Sequence, residues 1–179
     1  MGMRLNCPFG RKYPSPQPKD DAFFMAMAYN EGIRAWEEDE VPVGAVVVYD
    51  RRIIAAAHNR IEARQEATAH AEMLVLSQAA RALGGWRLNG CMLYSTKEPC
   101  PMCAAAARLS RVDAIIFGIP EHRPLDPNAA LPQGLALRNL PNPPHPSVRC
   151  GILAEDCYAL LRGFFSQRRG KIPPIALGH

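Results

Sequence analysis

Two short motifs some thirty residues apart, His70-Ala71-Glu72 and Pro99-Cys100-Pro101-Met102-Cys103, restrict the folding of this chain more than any other feature. One imidazole and two thiolates form a donor set of the kind zinc prefers. The number three is informative. A structural zinc site closes with four protein donors, whereas a catalytic site keeps the fourth position for water. If His70, Cys100 and Cys103 hold one ion, any acceptable fold must bring two distant segments to a single point.

Each segment has the local character this requires. Cys100 and Cys103 are spaced i,i+3 and share one face of a first helical turn. Pro101 suits the first helical position, where its missing N–H is no loss. A helix N-terminus also lowers a thiol's pKa towards the thiolate that binds metal. Residues 70 and 72 would point to different sides in mid-helix, so their convergence requires a helix start, with Thr68 as the expected N-cap. Ala71 between them leaves its backbone open to a bound molecule. Glu72 marks a reactive centre, because a carboxylate beside activated water can accept its proton and return it to a leaving group. A Cys-x-x-Cys alone also suits a redox pair or half of a structural site. The rival class is therefore a non-catalytic, zinc-stabilised RNA-binding or dimerisation module, against which Glu72 and the three-donor count both argue.

At 179 residues the chain has room for one domain of about 150 residues plus tails, enough to build a core without disulfides. Residues 1–19, with four prolines and little periodicity, read as a flexible Pro-rich tail. Residues 20–171 read as the domain and 172–179 as a C-terminal tail. Asp20 and Asp21 open a helix whose apolar stripe runs through Phe24, Met27, Ala28 and Trp36. The acidic run from Glu37 to Glu40 closes it and reads as solvated surface. Val43 to Tyr49 and Arg52 to Ala57, joined by Asp50-Arg51, form a hairpin pattern. A helix from His70 to Leu83, a strand from Cys91 to Thr96, an alanine-rich helix from Pro101 to Ser110 and a strand from Ala114 to Gly118 follow. This alternation predicts an α/β fold with mixed strand directions. The proline-rich residues 119–150 read as a long connection, and Ile152 to about Arg168 as a final helix.

The net charge of +4 invites a nucleic-acid reading, but Arg4, Arg11, Lys12 and Lys19 in the acid-free first 19 residues account for it. Beyond them the chain is formally neutral. A basic run remains at Arg162, Arg168, Arg169 and Lys171, which suits either a helix end or contact with phosphate. Among the six cysteines, Cys91 reads as a buried strand residue, and Cys150 and Cys157 as core. His58, His122 and His145 read as ordinary polar or loop residues. No signal peptide or membrane span is evident, and the cysteine usage fits a reducing, cytoplasmic setting.

Further matching pieces are Val41-Pro42-Val43-Gly44-Ala45-Val46, Asn59-Arg60, Thr68-Ala69-His70-Ala71-Glu72, Glu98-Pro99-Cys100 with Cys103, Phe117-Gly118, and Gly151-Ile152-Leu153-Ala154 leading into Phe164-Phe165 and Arg168-Arg169. With these, the chain resembles the bacterial tRNA-specific adenosine deaminase family, of the cytidine deaminase-like superfamily, over about residues 20–171. The pattern H-x-E…P-C-x-x-C is the signature of the zinc deaminases. The resemblance implies a three-layer α/β/α sandwich with a mixed five-stranded sheet, a homodimer, and adenosine-to-inosine conversion at the tRNA wobble position. It implies one Zn2+ per chain on His70, Cys100 and Cys103, with Glu72 shuttling protons. Asn59 would hydrogen-bond the flipped nucleoside, Val43 would pack on the base, and Ala71 and Pro99 would adjoin it. The chain departs from the family after Phe117-Gly118, where it reads Ile119-Pro120-Glu121-His122-Arg123-Pro124, and before the last helix, where it reads Asn142-Pro143-Pro144-His145. Family members use both regions to grip the anticodon loop. Deamination of a free nucleobase or nucleoside such as guanine or cytosine therefore stands as the alternative.

Overall fold

In chain order the elements are α1 (Asp21–Glu37), β1 (Gly44–Tyr49), β2 (Arg52–His58), α2 (Ile61–Arg64), α3 (Ala71–Ala82), β3 (Cys91–Lys97), α4 (Pro101–Leu109), β4 (Ala114–Ile119), β5 (Ser147–Cys150) and α5 (Ala154–Arg169). They come from a computed structural model that describes residues 6–15, 19–120 and 145–169. β1 shows no hydrophobic alternation because both of its faces are covered, and only Tyr49 is exposed. The strands form one sheet in the order β2-β1-β3-β4-β5. β1 is antiparallel to β2 and β3, while β3, β4 and β5 run parallel. Asp50 and Arg51 make the hairpin turn with φ of 46° and 57°, the left-handed pair of a type I′ turn.

Strand alternation divides the core between the two faces. Val46, Val48, Tyr94 and Ile116 pack under α1 and α5 with Phe24, Met25, Trp36, Leu160 and Phe164. Ala45, Val47, Leu93, Ile115 and Phe117 face α3 and α4 with Val75, Leu76, Ala79 and Ala107. This is the expected α/β/α sandwich on a mixed five-stranded sheet. The parallel strands β3 and β4 end side by side, and the chain leaves β3 at Lys97 directly into Glu98-Pro99-Cys100 and α4. Open α/β sheets place ligands beyond such carboxyl ends. No helix among the described residues is long and apolar enough to cross a membrane.

Three sequence expectations change. Residues 6–15 do not behave as a free tail: Phe9 packs edge-on to Trp36 and beneath Gly163, and the Asn30 side chain bonds both Lys12 N–H and Lys12 C=O at 2.7 Å. Lys12 also pairs with Asp156 on α5 at 2.8 Å. An aromatic anchor and local ion pairs hold a segment that composition alone marks as loose. Second, the connection 119–150 contains a strand, β5. Its four residues lie at the sheet edge, where Val148 is half-buried and Arg149 pairs with Asp21 at 2.6 Å, too short a run to show a period. Third, Cys150 is exposed on that strand while Cys157 is buried in the core.

At Gly44, helix α1 crosses the start of β1 so closely that an added Cβ would collide with Ala28 O and Gly32 N, and would lie 2.7 Å from Glu31 Cβ. The Gly44 N–H donates to Thr96 Oγ1 at 3.1 Å, which ties β1 to the end of β3. Gly44→Ala must therefore push α1 away from the sheet. Overpacking of this kind lowers the melting temperature by about 5–10 °C in a domain of this size, which a thermal melt against wild type measures.

Candidate active site

Two helices begin at the same point beyond β3. His70 is the N-cap residue of α3, with extended φ −67° and ψ 150°, and Cys100 is the N-cap residue of α4, with φ −62° and ψ 167°. Pro101 takes the first helical position, and Cys103 follows within the first turn. The helix-start requirement read from the i,i+2 spacing is met, with one correction. Thr68 is not the cap; its hydroxyl turns to Glu66, and His70 itself occupies the cap position.

The three donor atoms form a nearly regular triangle. Cys100 Sγ and Cys103 Sγ are 3.5 Å apart, and His70 Nδ1 is 3.7 Å from the first and 3.6 Å from the second. Tetrahedral zinc, with bonds of about 2.3 Å to sulfur and 2.0–2.1 Å to nitrogen, asks for edges of about 3.8 Å between sulfurs and 3.6 Å from sulfur to nitrogen. The residues present fit the ion. Burial pushes the Cys103 thiol far up, with Glu72 and Cys100 adding to the effect, and a cation held among these donors would draw it back towards the thiolate. Among the described residues this is the one such His/Cys/Asp/Glu group.

Glu72, 3 % exposed, lies one residue into α3, and its Oε1 accepts from Ser95 Oγ at 2.9 Å. His70, Glu72 and Cys100 border a cleft of about 230 Å³ whose apolar contributors are Val41, Val43 and Ile61. Asn59, Lys97 and Glu98 supply its remaining polar groups. Val43 and Asn59 thus line the same cleft as His70, Glu72 and Cys100. Ala71 and Pro99 are buried next to His70 and Cys100 in the chain, and their side chains do not line the cleft. Arg162, Arg168 and Arg169 lie exposed on α5, away from the cleft lining, and Arg168 bonds Asp39 O at 2.8 Å and its carboxylate at 3.2 Å. Lys171 and His122 lie outside the described residues.

Sequence reasoning missed the layer behind the cleft. The acidic run is not uniformly solvated. Glu40 is 1 % exposed; its Oε2 accepts from Asn59 Nδ2 at 3.2 Å and its Oε1 from Ala63 N–H at 2.8 Å. Glu38 pairs with Arg60 at 3.2 Å and with His58 Nε2 at 3.3 Å, while His58 Nδ1 lies 3.1 Å from Glu31. A signal existed: Glu40 abuts the apolar run beginning at Val41, where a solvated carboxylate is out of place. Lys97, beside Glu72 and Glu98, has its pKa lowered by burial against the opposing pull of those carboxylates.

A helix-flanked mixed sheet that gathers one imidazole, two thiols and a buried carboxylate at two helix starts has the architecture of a zinc-dependent deaminase. Residues 18–119 match the family described as the cytidine and deoxycytidylate deaminase zinc-binding region. A tRNA-specific adenosine deaminase of Bacillus subtilis (strain 168) is 44% identical over 154 residues, covering 84% of this chain and 92% of the relative. The chain belongs to this zinc-binding deaminase family, on its tRNA-specific adenosine deaminase branch. A solved structure from work on A-to-I editing by tRNA:A34 deaminases at the wobble position is 37% identical with a TM-score of 0.68, over 77% of this chain and 98% of that one. A guanine deaminase of Bacillus subtilis is more distant, at 32% identity and a TM-score of 0.54, over 56% of this chain and 65% of that one.

Burial alone would depress the His58 imidazole, yet Glu31 and Glu38 outweigh it, and its pKa rises above the ordinary 6.5. The stabilisation from protonated His58 is therefore fully present below the unfolded-state value of about 6.5 and disappears as pH climbs through the higher folded-state value. Urea midpoints of wild type and His58→Gln should differ most at mildly acidic pH and converge on the alkaline side. A difference independent of pH would remove the ion-pair account.

Proposed function

We propose that the chain is a zinc-dependent hydrolytic deaminase that converts adenosine to inosine at the wobble position of tRNA. The observation that carries this reading is the buried Glu72 carboxylate beside a three-donor triangle of zinc dimensions, opening on a cleft lined by Val43 and Asn59. The identity to tRNA-specific adenosine deaminases over most of both chains supports the substrate.

When bound to His70, Cys100 and Cys103, one ion per chain, zinc supplies Lewis acidity towards water at its open position. The chain's own groups do the rest. Ser95 holds Oε1 of Glu72, and the second oxygen takes the proton released as water attacks C6 of the adenine ring. Glu72 then returns protons to the ring and to the departing amino group, so that adenosine and water become inosine and ammonia. Val43 packs against the extruded base, Asn59 hydrogen-bonds the nucleoside, and the backbone at Ala71, with Pro99 alongside, meets its edge. Exposed Arg162 and Arg169, with Lys171, contact phosphates, whereas Arg168 mainly anchors the end of α5 on Asp39. A homodimer and a cytoplasmic setting complete the proposal, the latter supported by the tRNA substrates of the relatives.

Zinc-loaded protein is incubated with an anticodon stem-loop and, separately, with free bases and nucleosides, and inosine and ammonia are measured. Inosine in the stem-loop is expected, with affinity falling as salt rises. Ammonia from a free base beside an inert stem-loop overturns the tRNA reading. Glu72→Ala should lower kcat about 10²- to 10⁴-fold while zinc content stays unchanged. Replacing Arg162 and Arg169 together by Ala should weaken stem-loop binding and reduce the salt slope by about one per lost phosphate contact, leaving zinc content untouched.

A further inference from the structure

Asn59 is held by two hydrogen bonds and by burial before any ligand arrives. Its backbone N–H donates to Val43 O at 3.0 Å, its residue is 4 % exposed, and its Nδ2 donates to the buried Glu40 at 3.2 Å. An asparagine amide can turn over to exchange its oxygen for its nitrogen, and the two orientations offer a ligand opposite hydrogen-bonding characters. Glu40 decides between them. An ionised carboxylate only accepts, so it welcomes Nδ2 and repels Oδ1. Its other oxygen receives Ala63 N–H, a backbone donor at the end of the short α2 turn that cannot reverse.

We propose that Glu40 is a positioning residue that fixes the orientation of the Asn59 amide and thereby the polarity with which the cleft reads the nucleoside. The proposal rests on the reading of Asn59 as a substrate contact and adds the group that dictates what Asn59 can recognise. Glutamine at position 40 has nearly the same shape but a single acceptor oxygen. Ala63 N–H claims that oxygen, which turns the new amino group towards Asn59. The Asn59 amide must then present Oδ1 backwards and Nδ2 to the cleft. A reversed pairing in a site built for one orientation is penalised far more than a lost van der Waals contact, because buried polar groups are left unmatched.

Two measurements on the full-length zinc protein test this. By NMR, the Asn59 side-chain amide protons of wild type should exchange with solvent at least about tenfold more slowly than those of exposed asparagines, and Glu40→Gln should abolish that protection. Free exchange in wild type overturns the proposal, whether or not Glu40→Gln folds. On the anticodon stem-loop, Glu40→Gln should lower kcat/KM about 10- to 100-fold, the cost of mismatched buried hydrogen bonds, with the loss mainly in KM and zinc content unchanged. In an Asn59→Ala background the same substitution should cost less than about twofold, since contacting residues couple and independent ones add. An equal loss in both backgrounds assigns Glu40 a general structural role and overturns the positioning claim. Protected Asn59 protons in a wild-type protein that deaminates no substrate would support the orientation while removing the deaminase reading.

Discussion

The convergence of two helix N-termini at the end of one strand governs what this molecule can be. His70 and Cys100 each occupy an N-cap, so both donors project from the last extended residue before a helix begins. N-cap residues normally spend a side-chain oxygen on the free N–H groups of the first turn. Here neither residue caps through its side chain, and both are left for ligation. The local stability forgone at two helix starts, on the order of 1 kcal/mol each, must come from elsewhere in the fold. The sheet supplies it: Val47, Leu93, Ile115 and Phe117 are fully buried under α3 and α4 and fix where those helices begin.

Behind this front layer, burial does a second job. Glu31, Glu40, Glu72 and Glu98 are all below a tenth exposed, an unusual density of buried carboxylates for one domain. A buried charge must be met by donors, and the donors found here differ in kind. Glu72 receives a hydroxyl, Glu40 a side-chain amide and a backbone N–H, and Glu31 an imidazole and a guanidinium. Such matching makes these three carboxylates intolerant of a neighbour with the wrong hydrogen-bonding character, and so stiffens the region.

Much of the site was legible in the sequence because its chemistry is local. Cysteine spacing, a proline at a first helical position and an i,i+2 pair each carry geometry within a few residues. The element order was legible for the same reason: β1 and β4 are short apolar runs and α5 has a clean helical period. What escaped depends on contacts between distant residues. Ser147-Val148-Arg149-Cys150 becomes a strand only because β4 offers an edge to pair with. Residues 6–15 settle because Trp36 and Gly163 leave a seat for Phe9. Glu40 is buried because the chain turns inwards at Val41, and charge counting treats it like its three neighbours.

Those four acidic neighbours go to four separate destinations. Glu37 takes Arg11, Glu38 takes Arg60 and His58, Asp39 takes Arg168, and Glu40 takes Asn59. Asp39, at φ 65°, turns the backbone so that consecutive side chains fan out instead of stacking on one side. The stretch works as a junction box joining the amino-terminal segment, the hairpin, the last helix and the cleft. Its length is therefore as constrained as its charge. Inserting or deleting a single residue there, with every acid retained, would misroute all four connections together.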